Sequence, residues 1–225
     1  MSSLDNAAWA CRFLAMLFAL AAHFSLPTPT NTRIADVRAI FTADDVPAYL
    51  VDQGEVDRTV YTRTTVRPDG STQSCVAEAS SGDQKLDAYT CALIIRRAKL
   101  STARWLDGSA AYGVIRLPVR WTVGDSVPGS REDVPDLVLS VNHLPKGANA
   151  FVDVDLQIAA DEKGHAVSCT EWAPPINDYG KHFSELVPIA CQQATASLVL
   201  TPPLDTSGKP VRSVQSVSVH FKLGQ

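Results

Sequence analysis

A turn and a cysteine recur together along this chain. Gly70 and Gly164 lie 94 positions apart, and Cys75 and Cys169 share that spacing. Downstream the spacing becomes 100, pairing Cys91 with Cys191, Leu100 with Leu200, Gly108 with Gly208, Val114 with Val214 and Val119 with Val219. A six-residue insertion accounts for the change, and it falls in TEWAPPINDYGKHFSELVPIA, where Pro174, Pro175 and Gly180 mark a lengthened loop. Self-similarity of this kind constrains a fold more than any single motif, because each copy must be one supersecondary unit. The chain reads as two copies of one module of about 75 to 85 residues, a length at which a small core needs further support.

Periodicity gives the module its order. Val60, Thr62, Thr64 and Val66 alternate with mostly polar neighbours, as do Val154, Leu156 and Ile158, so each copy opens on a strand with one buried face. The turns Pro68-Asp69-Gly70 and Glu162-Lys163-Gly164 follow, where glycine supplies the positive φ of a short hairpin. Second strands are expected over Thr72 to Ala79 and Ala166 to Trp172, and then a helix capped by Ser81 or Asp83 in the first copy and starting near Ser184 in the second. Cys91, Ile94 and Ala98 make one helical stripe; Val187, Cys191, Ala194 and Leu198 make the other. The last strands alternate Leu117, Val119, Trp121 and Val217, Val219, Phe221. The expected fold class is α+β, two tandem β-hairpin–helix–strand modules, each a small antiparallel sheet with a helix on one face.

Each copy thus puts one cysteine on its second strand and one on the helix face packed over it, 16 residues apart in the first and 22 in the second. Four cysteines allow three pairings, and the repeat favours Cys75 with Cys91 and Cys169 with Cys191. Such bridges persist in oxidising compartments. The N-terminus agrees: FLAMLFALAAHFSL, from Phe13 to Leu26, follows Arg12 and offers small residues at Ala19, Ala21 and Ala22 for cleavage. Residues 1–26 are expected to be a secretory signal; an uncleaved anchor over 7–26 is the other reading. Cys11 lies inside that leader. The remaining divisions are a linker over 27–44, a first repeat over 45–123, an acidic, turn-rich linker over 124–137 and a second repeat over 138–225.

The P-D-G turn, the cysteine strand, SSGDQKLD leading into a helix, and the ending TPPLDTSGKPVRSVQSVSVHF together resemble the C-terminal domain of TonB, the bacterial energy transducer, and in particular cysteine-bearing periplasmic proteins of that type. The resemblance covers about residues 45 to 123 and, from the turn, the cysteine pair and the ending, about 146 to 225. The first copy departs from the family at Leu100-Ser101-Thr102-Ala103, where Phe-x-Pro-Ala is usual. Transducers of the family carry a functional membrane histidine and a long Pro-rich spacer. Here His23 has Ala19 where a serine is usual, and LPTPTNTRIADVRAIF is too short to cross a periplasm. What the resemblance implies is recognition: a sheet edge that accepts a strand from a protein partner such as an outer-membrane receptor segment. Pro118 interrupts the first copy's last strand, so the expected working edge is Val214, Ser216, Ser218 and His220 in the second. The other reading is an envelope-associated protein that reuses the fold without receptors, its two edges paired with each other.

Other classes find less footing. A net charge of −4 and a pI near 5.7 provide no broad basic field for nucleic acid. Arg96, Arg97, Lys99 and Arg104 form the best basic cluster and read as a solvated helix end. His23, His143, His165, His182 and His220 have no metal-ligand spacing and no nucleophile motif, and Asp153 with Asp155 reads as solvated surface. No enzyme activity, cofactor or metal is expected.

Overall fold

Strand β1 (Val56–Val66) buries Val56, Val60, Thr62, Thr64 and Val66 on one face, the period-two pattern of a half-covered strand. It turns at Gly70, φ +85°, into β2 (Thr72–Ala79). The computed structural model describes residues 28–36, 39–124, 134–148, 150–172 and 183–224. The expected leader, the inserted-loop residues Pro174, Pro175, Gly180 and His182, and most of the 124–137 linker lie outside them. A short helix α1 (Ala48–Val51) precedes β1, and α2 (Gln84–Arg97) follows β2. Asp83 caps α2, its carboxylate accepting from the Lys85 and Leu86 amides at 2.9 and 3.2 Å. Then come β3 (Ala103–Arg104) and the long β4 (Ala110–Val123). The second half holds β5 (Leu137–Val141), β6 (Phe151–Ala160), β7 (Ala166–Glu171), a 3-10 turn over Ser184–Leu186, α3 (Val187–Ser197) and β8 (Ser213–Leu223).

These elements build one mixed α+β fold on a single, mostly antiparallel sheet of eight strands in the order β2-β1-β4-β8-β6-β7, with β3 beside β4 and β5 beside β8. The two small antiparallel sheets expected are thus joined in one, as in the alternative in which the last strands pair with each other. The join is a parallel pairing of only three residues, Tyr112 with Ser213, Gly113 with Val214 and Val114 with Gln215. Registers on its two sides match: Val60 opposes Val119 as Val154 opposes Val219, and Thr64 opposes Cys75 as Ile158 opposes Cys169. Parallel partners point to the same face, so Gly113 shares a face with Val214. Gly113 has the parity of Leu117 and Trp121, which pack towards α2; Val214 has the parity opposite to Val217 and Phe221, which pack towards α3. The two helices consequently cover opposite faces of the joined sheet.

Each half keeps its own core. Val60, Leu86, Leu93 and Trp121 centre one; Leu156, Ile158, Ala190 and Phe221 centre the other. Residues 27–44 do more than link. Thr30 and Ile34 pair with Arg104 and Leu100, and Ile40 is fully buried in the first core. No described helix is long and apolar enough to cross a membrane.

A half-buried ion pair fastens this N-terminal stretch. The Arg97 guanidinium donates to Asp45 at 2.6 Å and to the Ile40 carbonyl at 3.1 Å. The Arg97 hydrogen bond, with that from the Thr42 amide, holds the Asp45 carboxyl far below the usual carboxylate range. A lowered folded-state pKa stabilises above the unfolded value of about 4, and that contribution is lost as pH falls below it. Urea unfolding between pH 5 and pH 2 is expected to show declining stability, with a shallower slope in Asp45→Asn. An unchanged slope would remove Asp45 from the account.

Candidate protein-interaction site

The expected working edge is not an edge. β8 lies between β6, paired along 151–160, and β4 with β5, paired at 112–114 and 137–141. Val214 and Ser216 are buried, Ser218 is half-buried, and His220 is held by Asp153, whose carboxylate lies 2.7 Å from Nδ1. Main-chain groups that would template an incoming strand are used by β4 and β5 along 213–215 and 219–223, and at Ser218 by Asp136.

Where β4 parts from β8, charged side chains fill the wedge. The Arg116 amide donates to Ser216 Oγ at 2.8 Å; the Asp136 carboxylate accepts from the Ser218 amide at 2.9 Å and from Arg116 at 3.0 Å. Arg63 adds a bond to Asp136 at 3.1 Å, and Glu78 accepts from both arginines at 2.8 Å. The cleft beside this network holds about 90 Å³, well below the several hundred Å³ of a metabolite site. Since the Arg116 amide faces the seam, so does the position of Pro118 two residues on. Its missing N–H costs the pairing with β1 nothing, and β4 runs through Pro118 without the expected interruption. Asp136 escaped the sequence reading because no periodicity ties it to Arg63 or Arg116.

The strands that end the sheet are β2 and β7, neither with an outer partner strand among the described residues. Both carry a bridge. Cys75 is bonded to Cys91 and Cys169 to Cys191, with Cα separations of 5.3 and 5.6 Å. Each disulfide ties an edge strand to the helix beneath it, which supplies a second anchor where an edge strand has one neighbour. Disulfides of this kind belong to an oxidising, non-cytosolic compartment. Val76 on β2 and Val167 on β7 are half exposed.

Across the seam runs the strap 28–36. The Thr30 amide and carbonyl exchange bonds with Arg104 at 3.0 and 2.8 Å, Arg33 and Ala35 bond to Ser101 and Lys99, and Asn31 is pinned from the other half by Gln157. Gln157 Oε1 accepts from the Asn31 amide at 3.0 Å, and Gln157 Nε2 donates to the Pro29 carbonyl at 2.9 Å. The strap fits because residue 113 is glycine: a Cβ there would stand 2.1 Å from Thr32 Oγ1.

Of the basic cluster, Arg97 is taken by Asp45 and Arg104 bonds the Gly108 carbonyl. His165 lies 3.6 Å from Asp161, and no group of three potential metal ligands occurs among the described residues. His23 lies outside them. Comparison with known proteins finds no matching family model, no matching curated relative and no matching solved structure.

Proposed function

We propose that the chain is an exported, disulfide-stabilised protein-binding module, two tandem copies of a TonB C-terminal-like β-hairpin–helix–strand unit, that engages an envelope-transport partner in the periplasm by strand addition. The observation that carries this reading is the pair of bridged outer edges. β2 and β7 are held rigid by Cys75–Cys91 and Cys169–Cys191, and a preorganised edge loses less ordering entropy when a strand adds. The tandem reading is supported by the matched registers and by two equivalent glycine contacts, Gly70 beside the Leu100 carbonyl and Gly164 beside the Leu200 carbonyl. No cofactor or metal enters the reading.

A second reading has its own observation. The seam engages the last strand of both halves, β4 and β8, which favours an envelope-associated protein that reuses the fold without receptors. In-cell photo-crosslinking separates the two. With the crosslinker at Val76 or Val167, capture of an outer-membrane receptor segment is the expected result, while the interior Val217 captures no other protein. Adducts absent from Val76 and Val167 alike would leave the second reading standing.

A further inference from the structure

The strap groove has a counterpart in the second half. At the spacing of 100, Lys99, Leu100, Ser101 and Arg104 correspond to Val199, Leu200, Thr201 and Leu204. The structures agree, since Leu204 bridges Pro210 as Arg104 pairs with Ala110, and Leu200 lies over Gly164 as Leu100 lies over Gly70. In the first half this edge is filled by residues 30–35; in the second, no described strand pairs with it. Val199 is 69% exposed and Leu204 49%, the former being the most exposed large apolar side chain among the described residues.

A glutamine stands at this second edge, as one does at the filled one. Gln157 holds the strap by both ends of its amide. At the counterpart edge Gln73, in an irregular step of β2, donates through Nε2 to the Leu204 carbonyl at 2.9 Å. Its Oε1 is buried without a hydrogen-bond partner among the described residues. A buried acceptor left open is uncommon and costs free energy; it is enclosed by the chain's own atoms, and a small shift of Gln73 towards an incoming backbone N–H would satisfy it. The Leu204 carbonyl has a second lone pair, so Gln73 need not leave when a strand arrives.

We infer that residues 199–204, with Gln73, form a second strand-docking edge that receives an extended segment of a partner protein. This edge is distinct from the outer edges of β2 and β7. The occupant's chemistry follows from the differences between the halves. Leu204 replaces Arg104, so the paired residue is apolar where the strap has Thr30. Ser213 replaces Gly113 and is fully buried, its Oγ accepting from Gln215 Nε2, which also donates to the Thr201 carbonyl, so side chains stand where glycine admits Thr32 in the first half. The occupant therefore carries glycine at that position, and a second copy's own strap does not fit. Pro202 and Pro203 lack N–H groups, but the donors of the filled edge are Ser101 and Arg104, whose counterparts Thr201 and Leu204 retain theirs.

The test uses the full oxidised chain and two nine-residue peptides with the sequence of residues 28–36, one unmodified and one carrying Thr30→Val and Thr32→Gly. Amide exchange by NMR is the readout. The modified peptide is expected to slow exchange at Thr201 and Leu204, and the unmodified one to leave both unchanged. Gln73→Leu should weaken the modified peptide about tenfold, the size of one or two lost hydrogen bonds, and Ser213→Gly should let the unmodified peptide bind. Three results would each overturn the inference: no protection at Thr201 and Leu204 at millimolar peptide, protection only at Ser101 and Arg104, or indifference to Gln73→Leu. Protection confined to β2 or β7 also overturns it while leaving the outer-edge reading intact. Protection at 201 and 204, with no capture from Val76 or Val167, supports it and removes that earlier reading.

Discussion

Reducing both disulfides should cost the folded chain about 6 kcal/mol, because closing loops of 16 and 22 residues contributes about 3 kcal/mol each on the chain-entropy estimate. The two bridges lie in separate cores, so their contributions should add. A loss of that size approaches the whole stability of an ordinary domain. The double variants Cys75→Ala/Cys91→Ala and Cys169→Ala/Cys191→Ala separate the halves, each expected to lose about 3 kcal/mol in urea unfolding. A loss under about 1 kcal/mol in either variant would mean that its edge strand is held by the hairpin and core alone.

Gly164→Ala should be the most damaging single substitution in a turn. Gly164 has φ +84°, and an added Cβ would stand 1.8 Å from the Leu200 carbonyl oxygen, a distance no pair of atoms keeps. The approach is fixed by the Leu200 amide, which donates to the Gly164 carbonyl at 2.9 Å. The left-handed backbone costs an L-residue about 1 to 2 kcal/mol and overpacking about 1 to 3 more, so a loss of about 3 kcal/mol is expected. At Gly70 the same Cβ would meet the Leu100 oxygen at 3.1 Å, so Gly70→Ala should lose only about 1 to 2 kcal/mol, chiefly from φ +85°. Thermal unfolding of the two variants side by side reads the difference. Equal losses would mean that the turn's backbone, not the contact with Leu200, makes glycine necessary at 164.

Much of this fold was legible from residue order. The strand over Thr72 to Ala79, Asp83 as one of two candidate caps beside Ser81, and the cysteine pairing follow from short-range rules: alternation, a side-chain acceptor before a helix, and a staple that recurs. The join between the halves stands in the sequence only as an alternative, and its register is not legible. It is three residues of parallel pairing between segments 101 positions apart, and no periodicity encodes such a contact. Ser216, expected on the working edge, is buried, as are Ser213 and Gln215, and neighbouring groups satisfy them. The alternation over Val217, Val219 and Phe221 therefore located β8 correctly and gave no sign that both of its sides were occupied. The strap was misread for a similar reason. Two prolines and several threonines look like a linker, yet Thr30 and Ile34 meet an exposed strand edge and Asn31 meets Gln157 from the other half. Of the site residues, the four cysteines came from the sequence; the outer edges and Gln73 needed the topology.

The joined sheet places β2 and β7 at its ends and β8 inside. Residue-resolved native amide exchange of the full oxidised chain tests this most directly. The account predicts that amides of Val214 to His220 are among the slowest in the molecule, and that alternate amides of β2 and β7 exchange orders of magnitude faster, as outward-facing edge groups do. Fast exchange along 214–220, with slow exchange throughout β2 and β7, would contradict it: β8 would be the open edge, and the single joined sheet would be wrong.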